Sequence, residues 1–200
     1  MIEPFVGFAT GLGLIVAIGA QNAFVIRQGL RREHVFWVVT ICAVSDAALI
    51  VLGVAGLGAI VSALPLLLEV VRWFGVAYLV WFGIRSLRSA FNSKSLKASA
   101  GTSSGLARTI GTTLMLTYLN PHVYLDTVIF LGSIANQYAN PWAFAGGAVA
   151  ASFIWFFGLG LGARAVSRVL GSTKFWRWFD IIVAVVMFSI AASLATMSLS

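Results

Sequence analysis

Asp46 and Asp126 stand inside long apolar runs, with no lysine or arginine at comparable depth. A charged acid at the centre of a bilayer costs roughly 2.5–3.5 kcal/mol on insertion scales. Such a group tends to face a cavity or pair with a cation, so the missing cation is a proton or a bound solute. The plainer alternative for each is a protonated acid bonded to a neighbouring helix. Helix-breaking polar sequence occurs at depth in two runs, as Gly19-Ala20-Gln21-Asn22 and Asn120-Pro121-His122. Pro121 removes a backbone donor and clashes with the preceding turn, and Asn120 is pushed out of helical geometry. Lipid offers the freed groups no partner. Exposed N–H groups suit a carboxylate and exposed C=O groups suit a cation; a proline kink satisfied by a neighbouring helix is the competing reading.

The surrounding residues extend this set. His122 has an unperturbed pKa of about 6.5 and can relay a proton, or serve as a neutral hydrogen-bonding group. Gln21 either bonds a solute or ties two helices together. Tyr118 and Tyr124 flank the second break and offer cation–π contacts to a guanidinium or ammonium, against ordinary packing. The solute-binding candidates are thus Gln21, Asn22, Asp46, Tyr118, Asn120, Pro121, Tyr124 and Asp126. The proton-coupling candidates are Asp46, Asp126 and His122. No cofactor or metal centre is expected.

The elements that position these residues follow from composition. The chain has 200 residues, of which 60% are hydrophobic and 10% charged, whereas a soluble domain carries about 25% charge. Apolar runs of this length read as membrane spans. The pattern predicts an all-α polytopic protein with six transmembrane helices, at Phe5–Ile26, Val35–Val61, Leu66–Leu87, Thr109–Ile134, Pro141–Ala163 and Phe175–Met197. Cys42 is the single cysteine, which leaves no disulfide, and reads as a core residue. The opening Met-Ile-Glu-Pro lacks the basic region of a signal peptide. Gly7/Gly11 and Gly158/Gly162 are spaced for close helix approach. Trp73, Trp176 and Trp178 read as interfacial anchors.

Charge sets an orientation. Twelve of the 13 basic residues fall in three clusters: Arg27, Arg31 and Arg32; Arg85, Arg88, Lys94, Lys97 and Arg108; Arg164, Arg168, Lys174 and Arg177. The clusters occupy alternate connections, and short cytoplasmic loops collect basic residues. Both termini are therefore expected outside. The net charge of +7 implies anionic lipid rather than nucleic acid, because no soluble domain carries it.

The chain is expected to form one domain of two repeats, about 1–90 and about 108–200, joined by a flexible connection at about 89–107. Arg72-Trp73-Phe74 recurs as Arg177-Trp178-Phe179, Gly56-Leu57-Gly58-Ala59 as Gly160-Leu161-Gly162-Ala163, and Asn22 as Asn120, at offsets of 105, 104 and 98 residues. Three spans is an odd number, so the second repeat is inverted, an arrangement typical of secondary transporters.

An enzyme is disfavoured: there is no HExxH, no serine paired with a base, and no polar catalytic loop. A channel and a divalent-metal exporter remain rivals. Asp46, Asp126, Asn120 and His122 are plausible hard or borderline ligands, but one Cys and two His argue against a soft-metal site.

With these residues in view, the chain resembles the LysE family of basic amino-acid exporters. The likeness runs through Gly19-Ala-Gln-Asn-Ala-Phe-Val-Ile-Arg-Gln-Gly29, Ser45-Asp46, Arg72-Trp73, Tyr78-Leu-Val-Trp-Phe82, Leu119-Asn-Pro-His-Val-Tyr-Leu-Asp-Thr127, Ala151-Ser-Phe-Ile-Trp-Phe156 and Trp176-Arg-Trp178. It covers nearly the whole chain. The resemblance implies a bacterial inner-membrane carrier that exports L-lysine and L-arginine, driven by the proton gradient or membrane potential, and compatible with a homodimer. Export rather than import comes from the resemblance alone.

Overall fold

The computed structural model describes residues 2–16, 19–57, 65–91, 105–120, 123–167 and 173–196. All regular structure among them is helical. The helices are α1 (Glu3–Ile15), α2 (Ala20–Arg31), α3 (Val35–Leu52, continued by a wider π-type segment Gly53–Leu57), α4 (Pro65–Phe91) and α5 (Leu106–Tyr118). They continue with α6 (Tyr124–Leu131, wound as a π-helix, then Gly132–Ala135), α7 (Pro141–Val166) and α8 (Thr173–Thr196).

Each expected span corresponds to one long helix or to a broken pair. Val35–Gly56, Pro141–Val166 and Lys174–Thr196 are each long and apolar enough to cross a membrane. A fourth span results if α1 and α2 are taken together across an 82° bend. Six uninterrupted helices are therefore not what forms. The first expected span divides before Gly19, whose extended backbone (φ −108°, ψ 176°) precedes α2, and the fourth divides after Tyr118.

Local chemistry sets several helix ends. Asn140 accepts a hydrogen bond from the Ala143 amide at 3.0 Å, and Pro141 follows in the first turn, so α7 begins with a capped end. Arg32 closes α2 in the left-handed region, its N–H bonded to the Gln28 and Gly29 carbonyls. Gly56, at φ 88°, breaks the helical path at the end of the α3 extension, a conformation that costs glycine little.

α7 is the centre of the packing, touching α1, α2 and α3, while α4 and α8 pair with each other. One core joins residues of α2, α3, α4, α7 and α8, including the fully buried Cys42. A second lies where Ile50, Leu131 and Phe144 meet. Helix approach relies on missing side chains: a methyl group added to Gly7 would sit 2.0 Å from the Phe144 carbonyl oxygen, and one on Gly147 would sit 1.9 Å from that of Pro4. The Gly7/Gly11 expectation thus holds, whereas a methyl group added to Gly158 or Gly162 would meet nothing within 4 Å among the described residues. Gly160, on the opposite face of the helix, packs instead against Val35 and Val39 of α3.

Described residues of the three basic clusters meet at one end of the bundle. Arg32 donates to Ser167 Oγ at 2.6 Å, joining the ends of α2 and α7. Arg177, at the start of α8, donates to the Ala90 carbonyl at 3.2 Å, near the end of α4. Arg27 was expected just beyond the first span but lies within α2 and points into the helix packing.

The α1–α7 crossing yields a paired test. Gly147→Ala is expected to destabilise the protein by roughly 1–3 kcal/mol through overpacking. Gly146→Ala, whose added methyl meets nothing within 4 Å, is expected to leave thermal melting in detergent unchanged. Equal melting of the two variants would contradict the crossing.

Candidate solute-binding site

Both helix breaks are closed by side chains from beyond the break. At the first, the carbonyl of Ile15 accepts from Asn22 Nδ2 at 2.8 Å. The Asn22 side-chain Oδ1 in turn accepts from Trp155 Nε1 of α7 at 3.3 Å. At the second, the Tyr118 carbonyl accepts from the Tyr124 hydroxyl at 2.9 Å. Freed carbonyls at membrane depth must find such partners, since hydrocarbon supplies none. The π-helical winding of α6 follows directly, a local irregularity that frequently marks functional sites. Pro121 and His122 lie outside the described residues.

The two breaks face one cavity of about 380 Å³. α1 and the first break contribute Ile15, Gly19, Gln21 and Asn22; α3 contributes Asp46; the second break and α6 contribute Asn120, Asp126 and Thr127. Phe156 of α7 and Ser189 and Ser193 of α8 complete much of the wall. No lysine or arginine is among the described residues that line it. Asp46 is only 6% exposed and accepts from Ser152 Oγ at 3.3 Å. The buried Nε2 of Gln21 finds no nitrogen or oxygen acceptor among the described residues. A cavity of this size is within the range of small-molecule sites, roughly 300–1,000 Å³.

Five residues singled out from the sequence therefore come together: Gln21, Asn22, Asp46, Asn120 and Asp126. Tyr118 and Tyr124 do not line the cavity, and their hydrogen bond secures the second break. Asn22 does structural work as well, because its amide ties the first break together and meets Trp155. The hydroxyls of Ser152, Thr127, Ser189 and Ser193 were not anticipated. Ser and Thr are common in apolar helices, where they bond to carbonyls one turn back, so composition does not single them out.

One acid was overlooked. Asp180 lies inside the sixth expected span and is 2% exposed. It pairs with Arg27 at 3.2 Å, and Arg27 also donates to Ser86 Oγ of α4 at 3.3 Å. The arrangement joins α2, α4 and α8 near the basic end of the bundle. The signal was present in the sequence as an acid one turn into a span that begins amid basic residues. Removing one partner of a buried pair leaves an uncompensated charge, at a cost of about 3–5 kcal/mol. Asp180→Asn is expected to lower the melting temperature of the purified protein sharply. Replacing Arg27 and Asp180 together by Met and Leu is expected to recover most of the loss. A single variant as stable as the parent would show that the pair contributes nothing.

The chain is similar to known transport proteins. The LysE type translocator family pattern matches residues 12–198. The lysine exporter LysE of Corynebacterium efficiens is 37% identical over 227 residues, covering 98% of this chain and 100% of the relative. The arginine exporter proteins ArgO of Salmonella enteritidis and Salmonella gallinarum are each 45% identical over 195 residues, covering 96% of this chain and 92% of theirs. No solved structure matches.

Proposed function

The chain belongs to the LysE type translocator family, and from that premise we propose that it is a secondary transporter exporting L-lysine, L-arginine or both. Relatives named as lysine and arginine exporters, aligned along nearly the whole chain, support the substrate class and direction. The observation that carries the mechanism is a cavity walled by Asp46 and Asp126, with no lysine or arginine among the described residues that line it.

A basic amino acid brings two positive groups and one carboxylate. In this reading its side-chain cation pairs with Asp46 or Asp126, and the other acid carries the proton. Gln21, whose buried amide nitrogen finds no nitrogen or oxygen acceptor among the described residues, and Asn120 at the second break hold the α-carboxylate and α-amino groups. Exchanging one such net singly charged solute for one proton moves no net charge. Asp46 is the better candidate for the coupling role, because its burial and its bond from Ser152 hold it in one place in either protonation state.

The packing pairs support two repeats in place of one continuous bundle. If α1 to α4 are matched with α5 to α8, the α1–α7 pair becomes α5–α3, α2–α7 becomes α6–α3, and α2–α5 becomes α6–α1; all of these pairs are in contact. The pairs α3–α7 and α4–α8 map onto themselves and are also in contact. Each half then has one broken element facing the cavity. Rocking of one repeat against the other would expose the site alternately to the two sides. The gathering of basic clusters at one end supports assigning that end to the cytoplasm of a bacterial inner membrane, with both termini outside.

Asp46→Asn is expected to abolish arginine and lysine counterflow in proteoliposomes while leaving the amount of folded protein unchanged. Asp126→Asn is expected to weaken substrate binding at least tenfold, the size of losing one charge-assisted hydrogen bond. Near-normal counterflow by Asp46→Asn would remove that carboxylate from the mechanism.

A further inference from the structure

A second, smaller cavity lies at the basic end of the bundle. It measures about 60 Å³ and is lined by Arg27, Arg31, Arg85 and Arg108, together with Gln28, Thr109 and Thr112. The arginines come from α2, α4 and α5, elements far apart in sequence. Bringing four guanidinium groups around one space is unfavourable unless negative charge answers them. Two are answered within the chain: Arg27 by Asp180 at 3.2 Å and Arg31 by Glu33 at 3.3 Å. Among the described residues, no carboxylate pairs with Arg85 or Arg108. Arg85 leans on the Trp81 ring instead, 5.7 Å from its centre. The cavity therefore keeps an excess of about two positive charges.

We propose that this cavity binds a phosphate-type oxyanion, carried by an anionic phospholipid headgroup or free as inorganic phosphate. Size argues for one compact anion: the space of about 60 Å³ is far smaller than the 380 Å³ solute cavity. Chemistry argues for phosphate, whose tetrahedral oxygens accept pairs of N–H bonds from planar guanidinium forks. Thr109 and Thr112 place polar side chains on the same wall. Arg108 and Thr109 sit in the first turn of α5, where unpaired backbone N–H groups and the positive end of the helix dipole also favour an anion. α5 starts at Gly105 without a side-chain cap. Basic pockets between helices at a membrane face are suited to anionic headgroups. Bound there, the anion would tie α2 and α4 of the first half to α5 of the second, across the connection between the halves.

The test compares the full-length protein with an Arg85→Gln/Arg108→Gln double variant, both monodisperse in zwitterionic detergent. Native mass spectrometry after exchange with phosphatidylglycerol is expected to show lipid retained by the parent and lost by the variant, which identifies a headgroup site. Retention by neither, with inorganic phosphate raising the melting temperature of the parent alone, identifies a free-phosphate site. In either case the affinity difference is expected to be tenfold or more, the effect of losing charge-assisted hydrogen bonds. Should the double variant fail to fold, Arg108→Gln, at an exposed position, makes the same comparison. Equal behaviour of parent and variant toward both probes would overturn the proposal. These are binding measurements, so the outcome is independent of whether basic amino acids are transported.

Discussion

A carboxylate held among apolar helices has to be answered, by a cation, a proton or a ring of donors. Within this protein the requirement is met in two different ways. Asp180 is answered permanently by Arg27, and the result is a fixed link between helices. Asp46 receives one hydroxyl, from Ser152, and otherwise borders a cavity. The first acid is structural because its partner belongs to the chain. The second is suited to transport because the space beside it admits a partner from outside.

The helix breaks follow from the same constraint. A continuous helix would satisfy its own carbonyls and present only side chains to the cavity. Interrupting two helices exposes backbone groups at depth, and each interruption is then held by a polar side chain: Asn22 on the Ile15 carbonyl and Tyr124 on the Tyr118 carbonyl. These bonds hold the breaks at a defined place while leaving Gln21 and Asn120 on the cavity wall. Tight glycine crossings such as Gly7 with Phe144 and Gly147 with Pro4 hold α1 against α7, so the first break is anchored on both sides. Asn22 reaches Trp155 of the same α7, which couples that anchor to the break.

Much of the site was legible in the sequence because its residues are costly where they stand. An aspartate in an apolar run, or an Asn-Pro pair inside a span, has few inexpensive explanations, and Asp46, Asp126, Asn22, Asn120 and Gln21 do share one cavity. What was not legible involves cheap or ambiguous residues. Serines at 189 and 193 resemble any hydroxyl in an apolar helix. Which of Gly158, Gly160 and Gly162 meets a neighbour depends on the rotation of α7 about its axis, and that rotation is set by packing rather than by spacing. Asp180 was overlooked because it stands near the start of its span, three residues past Arg177 of a basic cluster. Arg27 was misread for the same reason: its run of apolar neighbours ends there, yet α2 continues to Arg31. The tyrosines beside the second break illustrate the limit of chemical type as a guide, because a ring suited to a cation serves here to cap a carbonyl.

The central claim is that the cavity selects its solute by positive charge at the side-chain end. Competition for binding of radiolabelled arginine by citrulline tests this directly, because citrulline keeps the shape of arginine but replaces the guanidinium with a neutral ureido group. On this account lysine displaces the label and citrulline does not, and that discrimination disappears in a protein carrying Asn at both 46 and 126. Displacement by citrulline as effective as by unlabelled arginine would contradict it.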